Sequence, residues 1–148
     1  MAYFTCINDI FFFEFDKNGE MWLGTDRGIF VLREPEKFLS NDKVIFERVK
    51  IPRNDGTNLA DYLLSGIYTT AICIDDANRK WIGTQNNGVF LLSEDGKETI
   101  HHFTEENSPL LSNYIQTIAI NSSTGSVFFG TSLGLIEYGG DATEPENS

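Results

Sequence analysis

The only imidazoles in the chain, His101 and His102, stand side by side. On an extended strand such neighbours point to opposite faces, so they cannot grip one metal ion together; one buried and one exposed ring is expected. A serine hydrolase would need one of these two positions as its base, and no Gly-x-Ser-x-Gly elbow accompanies them. Asp16-Lys17-Asn18-Gly19-Glu20 opens like a calcium loop. Such a loop closes on a Glu at its twelfth position, and residue 27 is Arg, so a hairpin turn is the better reading. The adjacent acids Asp75-Asp76 and Glu105-Glu106 could supply the two carboxylates of a glycosidase, but turns favour such residues as solvated acids. Cys6 and Cys73 are too few for a four-thiolate zinc site or a disulfide scaffold. Both lie in apolar strand-like runs and read as buried free thiols, with one mutual bridge as the alternative. No catalytic residue, metal or cofactor is expected. What the chain does offer is recognition chemistry. Arg27 and Arg53 carry planar forks suited to carboxylate or phosphate, and Asn54, Gln85, Asn86 and Asn87 carry amides that can read hydroxyls, with Asp26 and Asp55 beside them.

The elements that would position these groups are repeated. FFFEFDKNGEMWLGTDRGIFVL at 11–32, TAICIDDANRKWIGTQNNGVFLL at 70–92 and TIAINSSTGSVFFGTSLGLIEY at 117–138 are three copies of one unit. Their cores are Trp22-Leu23-Gly24-Thr25, Trp81-Ile82-Gly83-Thr84 and Phe128-Phe129-Gly130-Thr131, followed by Gly28, Gly88 and Gly134. In each copy an apolar run meets a polar turn, an aromatic strand, a tight turn and a second apolar strand. A fourth strand is expected at Val44–Val49 and at Glu98–Phe103, and none in the third copy. The reading is an all-β chain of consecutive β-propeller blades at about 8–51, 67–104 and 115–138, the last incomplete, with 139–148 a polar tail or linker. Trp22, Trp81 and Phe128 would fill the space between blades, and the core glycines would permit close approach there. An insertion at 52–66 could make one helical turn at Leu59–Leu64, packing Leu59, Tyr62 and Leu63 inward. In an up-and-down blade the inter-blade connections and the loops joining strands two and three share one end. That end collects the arginines and amides named above.

Composition narrows the partners. The 148 residues are 41 % hydrophobic and 13 % aromatic, enough to bury a core. Eleven Lys and Arg stand against 22 Asp and Glu, a net charge of −11, which argues against nucleic acid and against a bare anionic membrane. Met1–Phe15 lacks a basic leader and is interrupted by Asp9 and Glu14, so no cleavable signal is visible. No stretch approaches the roughly 20 apolar residues of a membrane helix.

The repeat resembles the two-component regulator propeller family, whose pattern is an apolar strand, an Asp-x-x-Gly turn, Trp-Ile-Gly-Thr, and then Gly-Leu with an aromatic. The second copy departs by one residue before Gly88, and the third replaces Trp with Phe128. IPRNDGTNLADYLL at 51–64, DDANRKWIGT at 75–84, TIHHFTEENSPLLSN at 99–113 and TGSVFFGTSLGLIEYGGDATEP at 124–145 are similar to the PorZ-like components of type IX secretion. That resemblance implies a fragment of a larger periplasmic or surface propeller, with a non-enzymatic binding or scaffold role in handling anionic lipopolysaccharide. The alternative it leaves open is the periplasmic ligand-sensing propeller of a hybrid two-component receptor for a saccharide. Three blades would leave two open faces, each expected to be a continuous apolar surface, because propellers close with about 4–8 blades. The expected partners are therefore a second copy closing a two-fold ring of six, with Tyr3–Ile7 pairing onto the third blade, or missing blades of a longer chain.

Overall fold

Short runs of β-branched and aromatic residues broken by polar turns dictate strands. The computed structural model describes residues 10–40, 46–53, 55–57 and 59–140. Strands β1 (Ile10–Phe15), β2 (Met21–Thr25), β3 (Gly28–Leu32) and β4 (Phe46–Arg48) form an antiparallel sheet in chain order, which is blade 1. A hairpin of β5 (Lys50–Pro52) and β6 (Ala60–Tyr62) follows. Blade 2 is β7 (Thr69–Ile74), β8 (Lys80–Thr84), β9 (Val89–Leu92) and β10 (Thr99–Phe103). Blade 3 has three strands, β11 (Thr117–Asn121), β12 (Ser126–Thr131) and β13 (Gly134–Gly139).

The repeated residues have distinct mechanical jobs. Asp16, Asp75 and Asn121 open equivalent turns. The Asp16 Oδ1 accepts the Asn18 and Glu20 N–H groups at 2.9 and 3.0 Å, and the Asp75 Oδ1 accepts those of Ala77 and Arg79 at 3.0 and 2.8 Å. The suspected calcium loop is thus a hairpin whose carboxylate is already used. The core threonines close the next turn: Thr25, Thr84 and Thr131 each donate to the carbonyl of the trailing glycine, at 2.9, 2.8 and 3.0 Å. At Gly28 (φ 117°) and Gly88 (φ 73°) the backbone is left-handed, and a Cβ would strike the Leu64 and Phe103 carbonyls respectively. The core glycines Gly24, Gly83 and Gly130 are pressed by side chains, Phe12, Ile115 and Thr117, so they make room for side chains rather than for a neighbouring blade's backbone.

Each tryptophan fills the seam toward the next blade. Trp22 is buried with Ile29, Val31, Ile82, Phe90 and Leu92, and Trp81 with Val89, Leu91, Ile118, Val127 and Phe129. Phe128 has the same register but lies on the outer face of blade 3 and is half-buried; its neighbour Phe129 is the one buried in a seam. The insertion corrects the expected helical turn. Residues 60–62 pair with β5 as a strand exposed along its whole length: Leu59 and Tyr62 are exposed, and of the three residues expected to pack inward Leu63 alone enters the seam beside Trp22. The histidines do point to opposite faces, opposite Leu91 and Phe90, but neither ring is buried: His101 is half-buried and His102 exposed.

The two outer faces are unlike, which corrects the expectation of two continuous apolar surfaces. On blade 1 the strand register places Phe13, Leu23 and Phe30 beside Phe15, Met21, Leu32 and Phe46, with Arg48 at the margin. On blade 3 it places Thr117, Ala119 and Asn121 beside Ser126, Phe128, Leu135 and Glu137. Tyr3–Ile7 and the residues after Gly140 lie outside the described residues.

Candidate functional site

At one end of the blades the turns after β2 and β8 meet the links that lead into the inner strands β7 and β11. The Gln85 N–H donates to the Tyr68 carbonyl at 2.9 Å, and Gly66 donates to the Arg27 carbonyl at 3.0 Å. Gly88 donates to Asn113 at 3.0 Å, fixing the next link in the same way. These bonds hold exposed Arg27, half-buried Gln85 and exposed Asn86 and Asn87 around a rim of aromatic rings. Phe11 and Tyr68 stack at 4.5 Å, both about two-fifths exposed, and Tyr114 is exposed to the same degree. Asn87 is further held by its carbonyl, 2.7 Å from the His102 ring, which stacks on Phe90 at 3.9 Å.

Other residues expected here are engaged elsewhere. Arg53 directs its fork at Asp61, with Nε and Nη2 at 3.0 and 2.8 Å from one carboxylate oxygen. Asp55 caps its own turn by accepting the Thr57 N–H at 3.0 Å, and bonds from the Thr57 hydroxyl and N–H hold its carboxyl below the usual value. Asn54 lies outside the described residues. Asp26 sits in the Arg27 turn, and its Oδ1 is buried without a donor among the described residues.

Tyr68 and Tyr114 were missed in the sequence. Each stands three residues before the residue paired with a core glycine, Ala71 opposite Gly83 and Thr117 opposite Gly130. That shared offset was the available signal.

The opposite end is a structural polar network. Lys80, fully buried, donates to the carbonyls of Asn78 and Glu94 at 2.8 and 2.7 Å, lies 3.2 Å from the Asp16 carboxylate and sits 4.6 Å over the Trp22 ring. The same Asp16 oxygen accepts the Trp22 indole N–H at 3.0 Å. Burial lowers the Lys80 ammonium from its ordinary value, against the pull of Asp16. Burial alone would raise the Asp16 carboxyl, but the Glu20 N–H, the Trp22 indole and Lys80 together hold it below the ordinary range. A cavity of about 380 Å³ beside this network is lined by Glu20, Glu94, Asp95 and Glu98 against one cation, Arg33, which bridges Glu20 and Glu47 at 2.6 and 3.1 Å. Anions are repelled here. Cys73 is a free thiol that donates to the Ile118 carbonyl at 3.0 Å; burial, with Glu14 nearby, pushes it up to about 11, and such a thiol is inert. Cys6 lies outside the described residues.

Solved structures with this arrangement decide the architecture. PorZ, an essential bacterial surface component of the type IX secretion system of Porphyromonas gingivalis, superposes with a TM-score of 0.82 and 37 % identity over 88 % of this chain. The chain is a run of β-propeller blades. It spans 17 % of the PorZ chain. The extracellular domain of BT3049 from B. thetaiotaomicron, described as a hybrid two-component system, matches at TM-score 0.64 and 29 % identity over 91 % of these blades and 17 % of that chain. The extracellular domain of BT4673 from the same organism, 22 % identical over 82 % of the blades and 16 % of its own chain, shares the fold at TM-score 0.58. No family profile and no curated protein matches the sequence.

Proposed function

We propose that these blades form a non-catalytic binding module that holds a hydroxyl-rich, anionic saccharide, lipopolysaccharide included, on the Arg27 end. The observation that carries this reading is the Phe11–Tyr68 stack beside an exposed arginine and the Gln85–Asn87 amides. Aromatic faces pack on sugar rings, amides read hydroxyls and a guanidinium reads carboxylate or phosphate. Because the chain carries a net charge of −11, attraction by Arg27 acts only at short range, within a Debye length of about 8–10 Å. Titration calorimetry with an acidic oligosaccharide is the test. Arg27→Ala and Tyr68→Ala are each expected to weaken binding about tenfold, the worth of one charge-assisted hydrogen bond or one ring contact. Arg53→Ala is expected to have little effect, its fork being held by Asp61. Unchanged affinity in both Arg27→Ala and Tyr68→Ala would overturn the assignment.

The similarity to PorZ supports a place at the bacterial surface in a type IX secretion component. A second reading, ligand sensing by a two-component receptor, rests on the likeness to BT3049, which is lower in both identity and superposition. A reading frame continuing into a membrane helix and a kinase domain would favour sensing.

The exposed part of the outer face of blade 1, Phe13 and Phe15, would be covered by another blade, from a longer chain or from a second copy closing a two-fold ring. Light scattering at tens of micromolar is expected to show association that Phe13→Asp removes. A monomer at that concentration would retire the two-copy ring.

A further inference from the structure

Arg48 ends β4 opposite Phe30, and Lys50 opens β5 opposite Tyr62. Val49 between them is buried, and its carbonyl accepts the Leu63 N–H at 2.8 Å, so the side chains before and after it both turn away from the seam. They meet in a cavity of about 580 Å³ lined by Phe30, Phe46, Glu47, Arg48, Lys50 and Tyr62. The Arg48 guanidinium sits 4.9 Å over the Phe30 ring and 5.1 Å over the Tyr62 ring. Such ring contacts hold the planar fork by its faces and leave its N–H edges to meet a ligand. Elsewhere a carboxylate stands at 3.4 Å or less from each of Lys17, Arg33, Lys37, Arg53, Arg79 and Lys80. Among the described residues no carboxylate lies within 4.0 Å of Arg48 or Lys50, although the chain carries 22 Asp and Glu. Glu47, the one acid of the cavity wall, is held by Arg33 at 3.1 Å.

We infer that this cavity is a binding site for a phosphomonoester carried on a small sugar, separate from the Arg27 end. An apolar blade laid over this corner would bury two cations without a counter-charge, so the occupant that fits it is an anion. Two cations match the doubly charged phosphate ester, whereas a carboxylate or a sulfate ester brings one charge. The phosphate also offers three acceptor oxygens, enough for the Arg48 fork and the Lys50 ammonium together. The cavity has the volume of a small-ligand pocket, about 300–1,000 Å³. Phe46 and Tyr62 give it ring faces for the carbons of a sugar, and the Glu47 oxygen not facing Arg33 can accept from a hydroxyl.

The test is calorimetric titration of the full chain with glucose 6-phosphate, and with glucose 6-sulfate as the singly charged control. Arg48→Gln is expected to weaken glucose 6-phosphate binding at least about tenfold, the worth of a hydrogen bond between charged groups. Lys50→Gln, at an exposed position, is expected to weaken it severalfold and decides the matter if the Arg48 variant does not fold. Arg53→Ala removes the same charge from the neighbouring hairpin and should change little, its fork being taken by Asp61. Lowering the pH from about 7.5 to about 5 should weaken glucose 6-phosphate about tenfold, because the second phosphate proton binds with a pKa near 6. The sulfate ester does not titrate there, so any change in its binding reads the wall groups Glu47 and Tyr62 instead. Failure of glucose 6-phosphate to bind the wild type, equal affinity in Arg48→Gln and Lys50→Gln, or a sulfate ester that binds as tightly at about pH 7.5 would each overturn the proposal.

Discussion

Trp81→Ala is expected to cost about 3–5 kcal/mol, the range for emptying a large buried aromatic site. Trp81 is 1 % exposed, with ring centroids of Phe129 and Tyr138 at 5.5 Å and Phe103 at 6.3 Å, so its removal opens the seam between blades 2 and 3 from several sides. Denaturant titration reads the loss, and a change under about 1 kcal/mol would show that the seam collapses around the gap. A finer comparison separates packing from polar contact. The Trp22 indole donates to Asp16, whereas the Trp81 indole N–H is buried without a partner among the described residues. Trp22→Phe is therefore expected to cost more than Trp81→Phe, by about 1.5–3 kcal/mol, the worth of a hydrogen bond to a charged group.

Asp16→Ala is expected to be as damaging as the loss of a tryptophan, about 3–5 kcal/mol, because it leaves the Lys80 ammonium buried without its counter-charge. Lys80→Met alone should also destabilise, because it strands the buried Asp16 carboxylate, whereas replacing both ions together, Asp16→Asn with Lys80→Met, should cost far less than Asp16→Ala, since no buried charge is then left unpaired. The equivalent position in blade 3 is Val127, buried in the seam with blade 2, so the seam geometry accepts an apolar side chain there. The pH dependence has a definite sign. The Asp16 carboxyl is depressed in the folded chain, so its contribution is fully present above the ordinary carboxylate value of 3.8 and is lost as pH falls through the lower folded value. Urea midpoints measured from pH 5 down to about 2 should therefore fall less steeply in Asp16→Asn than in the wild type, starting from a lower value. Parallel curves would show that Asp16 titrates alike in both states.

The sequence by itself determined the local grammar: the strands of the three repeats, the order of their turns and the residues that each turn requires. Thr25, Thr84 and Thr131, the trailing glycines and the Asp16, Asp75 and Asn121 turn openers all satisfy constraints that act within a few residues, and such constraints recur wherever the unit recurs. The Arg27 and Gln85–Asn87 end followed from the same logic, because a strand-to-strand turn projects from the end of its own blade. Tertiary structure decided what lies across a seam. Nothing in the sequence singles out Lys80; only the packing of blade 2 on blade 1 buries it against Asp16, 64 positions earlier in the chain. Likewise Arg53 looks free until β6 brings Asp61 beside it, and residues 59–64 look helical until β5 supplies a pairing edge. Tyr68 and Phe11 become one platform through a contact between β1 of blade 1 and the link into blade 2. Periodicity encodes which way a side chain points, but the partner it meets there is set by how separate sheets stack, and that contact leaves no regular trace along a single chain.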